Sequence, residues 1–137
     1  MRKDPDYSKK YYVANKPRIA SRKRWRQKYD LDYRLSAVLK TIIQRCNDSR
    51  HATYKFYGGK GVQNFLTLND LKTLWVRDNA NKMNRPSIDR VDSDLHYTFT
   101  NCRFIEHAEN IRRGVVVREA RKAQRLLDTA AEQKAVG

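Results

Sequence analysis

The stretch "SIDRVDSDLHYTFTNCRFIEHAENIRRG", residues 87–114, most narrows what this chain can fold into. "SIDRV" is a β-rich run with Ile88 and Val91 apolar, and "NCRFI" is a second short one. Between them, "DSDLHYTFT" carries turn-forming residues and then a Tyr-Thr-Phe-Thr alternation. "EHAENIRR" follows as a helix stopped by Gly114. Strand, loop, strand and helix in that order predict a ββα unit. Such a unit brings an acid at the end of the first strand near a residue one turn into the helix, here Asp89 and Asn110. One carboxylate and one amide oxygen make a hard-oxygen site with positions left for water and phosphate oxygens, which suits Mg²⁺ or Mn²⁺. Asp89 also has ordinary ion-pair partners available in Arg90 and Arg103, and Asn110 can be a plain polar helix residue.

The flanking segments supply the packing partners. The 137 residues suffice for one domain with extensions. "LSAVLKTIIQRCND" is the clearest helix: Leu35, Val38, Leu39, Ile42, Ile43 and Cys46 fall on one apolar stripe, and Asn47-Asp48-Ser49 ends it. "ATYKFYGGKG" alternates like a short strand, and Gly58-Gly59 reads as a tight turn. The glycines there are too few and wrongly spaced for a P-loop, which leaves Lys60 for one phosphate contact. Thr67 or Asn69 is placed to cap a helix carrying Leu71, Leu74, Trp75 and Val76, with Trp75 in the core. "VVVREARKAQRLLDTAAEQKAV" is helical, with Val116, Ala120, Ala123, Leu127 and Ala130 along one face, set off by Gly114. Fold class is therefore α+β, in three segments: a basic helical arm (1–34), a central domain (35–114) and a C-terminal helix (115–137).

Charge is the loudest compositional signal. Thirty Lys and Arg against fifteen Asp and Glu leave a net charge of +15, which calls for a polyanionic partner, most simply nucleic acid. The arm alone holds twelve of the cations and four of the acids. Its segment "NKPRIASRKRWRQKYD" reads as a helix starting at Asn15 or Lys16, with Pro17 in the first turn. Arg18, Arg22 and Arg26 line one stripe of it, beside Lys23 and Arg24, and Tyr11, Tyr12, Trp25 and Tyr29 are interleaved. A ribosomal-type basic protein that binds RNA accounts for the charge equally well.

Other classes fit poorly. No apolar run approaches the ~20 residues that cross a bilayer, and the N-terminus has no signal-peptide core, so no membrane association is expected. Cys46 and Cys102 form no C-x-x-C pair, and His51, His96 and His107 show no paired-ligand spacing, so no structural zinc is expected. Two buried thiols fit a reducing, cytoplasmic setting.

Four pieces in order, "IIQRCND", "YKFYGGKGV", "SIDRVDSDLHY" and "NCRFI…EN", make residues 35–113 resemble the small HNH endonucleases of phages and mobile elements. These belong to the ββα-metal, or His-Me finger, nucleases. The resemblance implies a DNA endonuclease, of nicking or homing type, that hydrolyses a phosphodiester of double-stranded DNA with one divalent cation. It implies that Asp89 and Asn110 hold that cation and that Asn101 braces the loop. It also implies residence in the bacterial host cytoplasm.

The chain departs from the family at Arg90, where most members carry the histidine that acts as general base. A guanidinium stays protonated and offers only donors, so Arg90 cannot take that proton. Three readings follow. In the first, His96, the nearest histidine in sequence, activates the water while Arg90 clamps the scissile phosphate. Alternatively Asp92 or metal-bound hydroxide does the work of the base. In the third reading the frame binds DNA without catalysis. DNA contacts are expected from Arg18, Arg22, Lys23, Arg24, Arg26, Lys60, Arg112 and Arg113.

Overall fold

The computed structural model describes residues 4–136; the first three residues of the arm and the last residue of the chain lie outside the described residues. Four helices and one hairpin form the frame: α1 (Tyr7–Tyr29), α2 (Leu31–Asn47), α3 (Leu68–Arg77), β1 (Pro86–Arg90), β2 (Cys102–Glu106) and α4 (His107–Val136). The architecture is mixed helix and small antiparallel sheet. The two strands pair in the register Ile88↔Phe104, Asp89↔Arg103 and Arg90↔Cys102. No helix among the described residues is long and apolar enough to cross a membrane.

The chain divides into two compact units, one from residues up to Gly61 together with Leu66–Lys72, the other from Val62–Phe65 and residues from Thr73 onward. In the first, α1 has no buried residue, whereas α2 buries Leu35, Ile42 and Cys46 from its predicted stripe. Leu66 and Leu71 are buried in the same unit, while Ile43 stays 40% exposed at the margin of the stripe. Asp30 divides α1 from α2 because its extended backbone ends one helix while its carboxylate caps the other, accepting from the Tyr33 N–H at 3.1 Å. Thr67 and Asp70 cap α3 reciprocally: Thr67 N–H donates to the Asp70 carboxylate at 2.9 Å, and Asp70 N–H to Thr67 Oγ1 at 3.2 Å.

In the second unit the core is Val62, Leu74, Trp75, Ala80, Tyr97, Cys102 and Phe104. Trp75 meets Phe104 edge-on, with ring centroids 5.3 Å apart, as expected of a core tryptophan. Val76 points out, 73% exposed. Asn79 leaves α3 in the left-handed region at φ 51°, a conformation asparagine tolerates. Asp78 then accepts from the Phe104 N–H at 2.7 Å and ties the end of α3 to β2. At the far end of the hairpin, the Glu106 carboxylate accepts from the N–H groups of Asn84 and Arg85 at 2.8 and 3.2 Å.

Three local expectations are corrected. The arm helix begins at Tyr7, so Pro17 lies inside it. Asp4 and Asp6 before its start suit the helix dipole, and an internal proline forfeits one ladder bond without stopping the helix. "YKFYGGK" is not a strand and turn but two 3-10 turns, Tyr54–Phe56 and Gly58–Lys60. The chain there folds onto the end of α2: a Cβ on Gly58 would lie 2.1 Å from the Cys46 carbonyl oxygen. Gly114 does not separate two helices, since α4 runs through it; a glycine stops a helix where φ turns positive, and Gly114 keeps a helical φ.

Opposite effects follow at two glycines. Gly58→Ala is expected to destabilise by about 3 kcal/mol or more, because the blocking atom is backbone. Gly114→Ala, whose Cβ meets nothing within 4 Å, is expected to stabilise by ~0.5–1 kcal/mol through helix propensity. Urea unfolding of both variants measures the pair.

Candidate functional site

The site is assembled in the second unit by the corner where β1, the loop 91–101, β2 and the first turn of α4 meet. Asn101 organises that corner. It is 8% exposed, and its side chain bonds three backbone groups of the loop. Nδ2 donates to the carbonyls of Asp92 (3.0 Å) and His96 (2.9 Å), and Oδ1 accepts from the Asp92 N–H at 2.9 Å. The Val91 N–H donates to the Asn101 carbonyl at 2.7 Å, extending the hairpin by one rung. This is the loop brace expected of Asn101.

Arg90 turns into the same loop. Its Nη1 donates to the carbonyls of Ser93 and Leu95 at 2.7 and 2.8 Å, and its guanidinium lies 4.9 Å from the Tyr97 ring centroid. A guanidinium fits here because loop carbonyls need donors, and a neutral histidine would supply fewer. From α4, Arg121 reaches the other side of the loop, bonding Asp94 at 2.6 Å.

Asp89 sits on β1 with its side chain 10% exposed. Its Oδ2 accepts from Arg103 Nε at 3.2 Å, directly across the strand pair, and from Arg113 Nη1 on α4. Arg113 Nη2 also donates to the Val91 carbonyl at 3.2 Å. Among the described residues Oδ1 of Asp89 takes no hydrogen bond. Asn110, in the first turn of α4, donates from Nδ2 to Ser87 Oγ (2.8 Å) and to the Ile88 carbonyl (3.2 Å). A carbonyl only accepts, so the amide nitrogen must face it, and Oδ1 of Asn110 is likewise left without a hydrogen bond among the described residues.

His96 is held differently from a free loop histidine. The Gln63 N–H donates to its Nδ1 at 3.0 Å, and its ring meets Phe65 edge-on at 5.6 Å. The loop is tied to the same segment by Tyr97 N–H to the Gln63 carbonyl (3.0 Å) and Phe65 N–H to the Tyr97 carbonyl (2.9 Å). A backbone N–H can only donate. Nδ1 is therefore the unprotonated nitrogen, and neutral His96 carries its proton on Nε2. In this arrangement Nε2 is a donor, and proton acceptance at Nδ1 requires the Gln63 bond to break.

Arg112 is exposed, near Glu109 at 3.9 Å. Arg18, Arg22, Lys23, Arg24, Arg26 and Lys60 belong to the first unit and are all exposed. Cys102 is buried, and burial pushes its thiol up to about 11, so it stays protonated and unreactive at neutral pH. Among the described residues no cluster of three or more His, Cys, Asp or Glu is placed to hold a metal ion. One carboxylate and one amide form a sparser donor set than that.

The clasp by Arg113 and the Gln63 bond to His96 are the partners that motif spacing does not reveal. Arg103 is readable once the register is set, because it faces Asp89 across the pair. No family model, curated protein or solved structure matches this chain.

Asn101→Leu would strand the Asp92 N–H and two carbonyls inside the loop. The expected loss is about 3 kcal/mol, since each unsatisfied buried group costs ~1–3 kcal/mol. Urea unfolding measures the loss, and amide exchange of Asp92 is expected to accelerate with it.

Proposed function

We propose that this chain is a divalent-metal-dependent DNA endonuclease of the HNH type. The observation that carries the proposal is the pair of unbonded oxygens, Asp89 Oδ1 and Asn110 Oδ1, on the strand–loop–strand–helix corner with arginines around them. The donor set fits a hard cation such as Mg²⁺ or Mn²⁺, whose remaining positions fall to water and phosphate oxygens. When bound, such an ion polarises the phosphate and offsets charge on the leaving 3′ oxygen.

The chain's own residues do the rest. Arg103 and Arg113 put two positive charges beside Asp89, so the corner attracts a phosphodiester as much as a cation. Asn101 and Arg90 keep the loop rigid. His96, protonated at Nε2, donates to a phosphoryl oxygen rather than taking a proton from water at that nitrogen. Asp92 is the proton acceptor carried by the same loop; one of its oxygens already accepts from the Asp94 N–H at 2.9 Å. The arm supplies backbone contacts: α1 carries nine Lys and Arg and no acid over its 23 residues.

A second reading, a DNA-binding protein without catalysis, is favoured by one specific observation. Arg90 occupies the place of the family's catalytic histidine, and its guanidinium is committed to loop carbonyls.

Supercoiled plasmid with Mg²⁺ or Mn²⁺ separates the two. Nicking by the wild type is expected, reduced at least ~100-fold by Asp89→Ala and by Asn110→Ala. Cleavage surviving in both variants rejects the site; binding without cleavage under either ion leaves the second reading.

Histidine nitrogen shifts by NMR are expected to report His96 protonated at Nε2 when neutral. A proton on Nδ1 would return His96 to the role of general base.

Removal of residues 1–30 is expected to weaken DNA binding and flatten its salt dependence. Six to ten phosphate contacts lose ~10³–10⁵ in affinity between 50 and 200 mM salt. Affinity across a salt series measures the arm's share.

A further inference from the structure

α4 is 30 residues long, about 45 Å of helix, yet only its first half touches the hairpin unit. The half-buried positions are His107, Asn110, Arg113, Val117 and Arg121, one face that ends where Arg121 bonds Asp94. A different face carries Val116, Ala120, Ala123, Leu127 and Ala130, spaced alternately four and three residues apart. Nothing among the described residues covers it: Val116 is 67% exposed, Leu127 65%, and the flanking Leu126 65%. Spacing of that kind is a heptad seam, with Ala120, Leu127 and Lys134 at a and Val116, Ala123 and Ala130 at d. Arg118, Arg121, Lys122, Arg125, Asp128 and Glu132 all fall at the outer b, c and f positions. From Val116 to Ala130 no charge falls on the stripe, although Lys134 closes it, and a helix that needed only solvent would have no reason for that run.

We propose that this seam pairs α4 with α4 of a second copy of the chain, antiparallel. Charge chooses the occupant and the direction. Residues 115–126 hold four cations and one acid, whereas 127–136 hold two acids and one cation. Antiparallel pairing lays the basic half of each helix along the acidic half of the other. Ala120 then faces the partner's Ala130, Ala123 faces the partner's Leu127, and Val116 faces the partner's Lys134. Leu126 meets its own mate and widens the apolar strip. A parallel pair would set Lys134 against its own mate in the seam and lay the basic residues 115–126 of the two helices side by side. In the antiparallel pair the two Asn110 residues stand roughly 45 Å apart along the axis, from 1.5 Å rise per residue. The inference is independent of the proposed chemistry, because it rests on a face that the corner around Asp89 does not use.

The experiment uses the full chain, free of nucleic acid, in sedimentation equilibrium. Mass is expected to rise from one chain toward two across the micromolar range. Leu127→Glu is expected to weaken association about tenfold or more, while Thr129→Glu, at an outer c position, leaves it intact; circular dichroism checks that helix content is kept. A monomer at every concentration overturns the proposal, as does a dimer indifferent to Leu127→Glu. Direction is read by oxidation of single-cysteine additions, since Cys46 and Cys102 are buried. Ala120→Cys and Ala130→Cys are expected to cross-link when mixed and not alone; cross-linking of Ala120→Cys with itself overturns the antiparallel arrangement.

Discussion

The side chain of Asn101 is the constraint on which the site depends. The eleven-residue loop 91–101 buries only Tyr97 and Asn101, leaving Val91, Leu95 and Phe99 exposed. One buried amide ties its ends to its middle by two donated bonds and one accepted bond. A buried amide is costly unless it is fully bonded, and here both ends of it are used. The clasp closes the hairpin at Val91, which fixes the register that sets Asp89 against Arg103. Arg90 strengthens the same loop from inside. Its guanidinium thus acts on loop carbonyls, where it is a better donor than a neutral imidazole.

Electrostatics follow from that geometry. Asp89 is a nearly buried carboxylate with two guanidinium partners, in a chain whose net charge is +15. Its charge is already balanced, so a lone dication gains less there than at an unpaired carboxylate. A phosphodiester changes the balance, since it brings the negative charge that two arginines and a metal ion together can share. Under the proposed function, cation and DNA therefore enter the site together. The long α1, with nine cations and no acid, is a surface on which such a polyanion can be held.

The sequence was most legible where periodicity and side-chain chemistry agree. The hairpin, the start of the helix after it and the buried stripe of α2 all rest on local patterns, whereas the role of Asn101 was implied only by the resemblance. The misread parts lie where a short pattern met a tertiary demand. Tyr54–Lys60 alternates like a strand, but the close approach of Gly58 to the Cys46 carbonyl bends it into 3-10 turns. Gly114 and Pro17 look like boundaries by type, yet each lies inside a helix because its neighbours carry the ladder past it. The hydrogen bond that sets the His96 tautomer comes from a backbone N–H 33 residues away, which no side-chain pattern announces.

Electron paramagnetic resonance of Mn²⁺ titrated into the protein, with and without a short DNA duplex, tests the central claim most directly. The account predicts one bound ion per chain when DNA is present, much weaker binding without it, and loss of that ion in both Asp89→Ala and Asn110→Ala. Stoichiometric binding that persists in both variants, or no bound ion with DNA present, would contradict it.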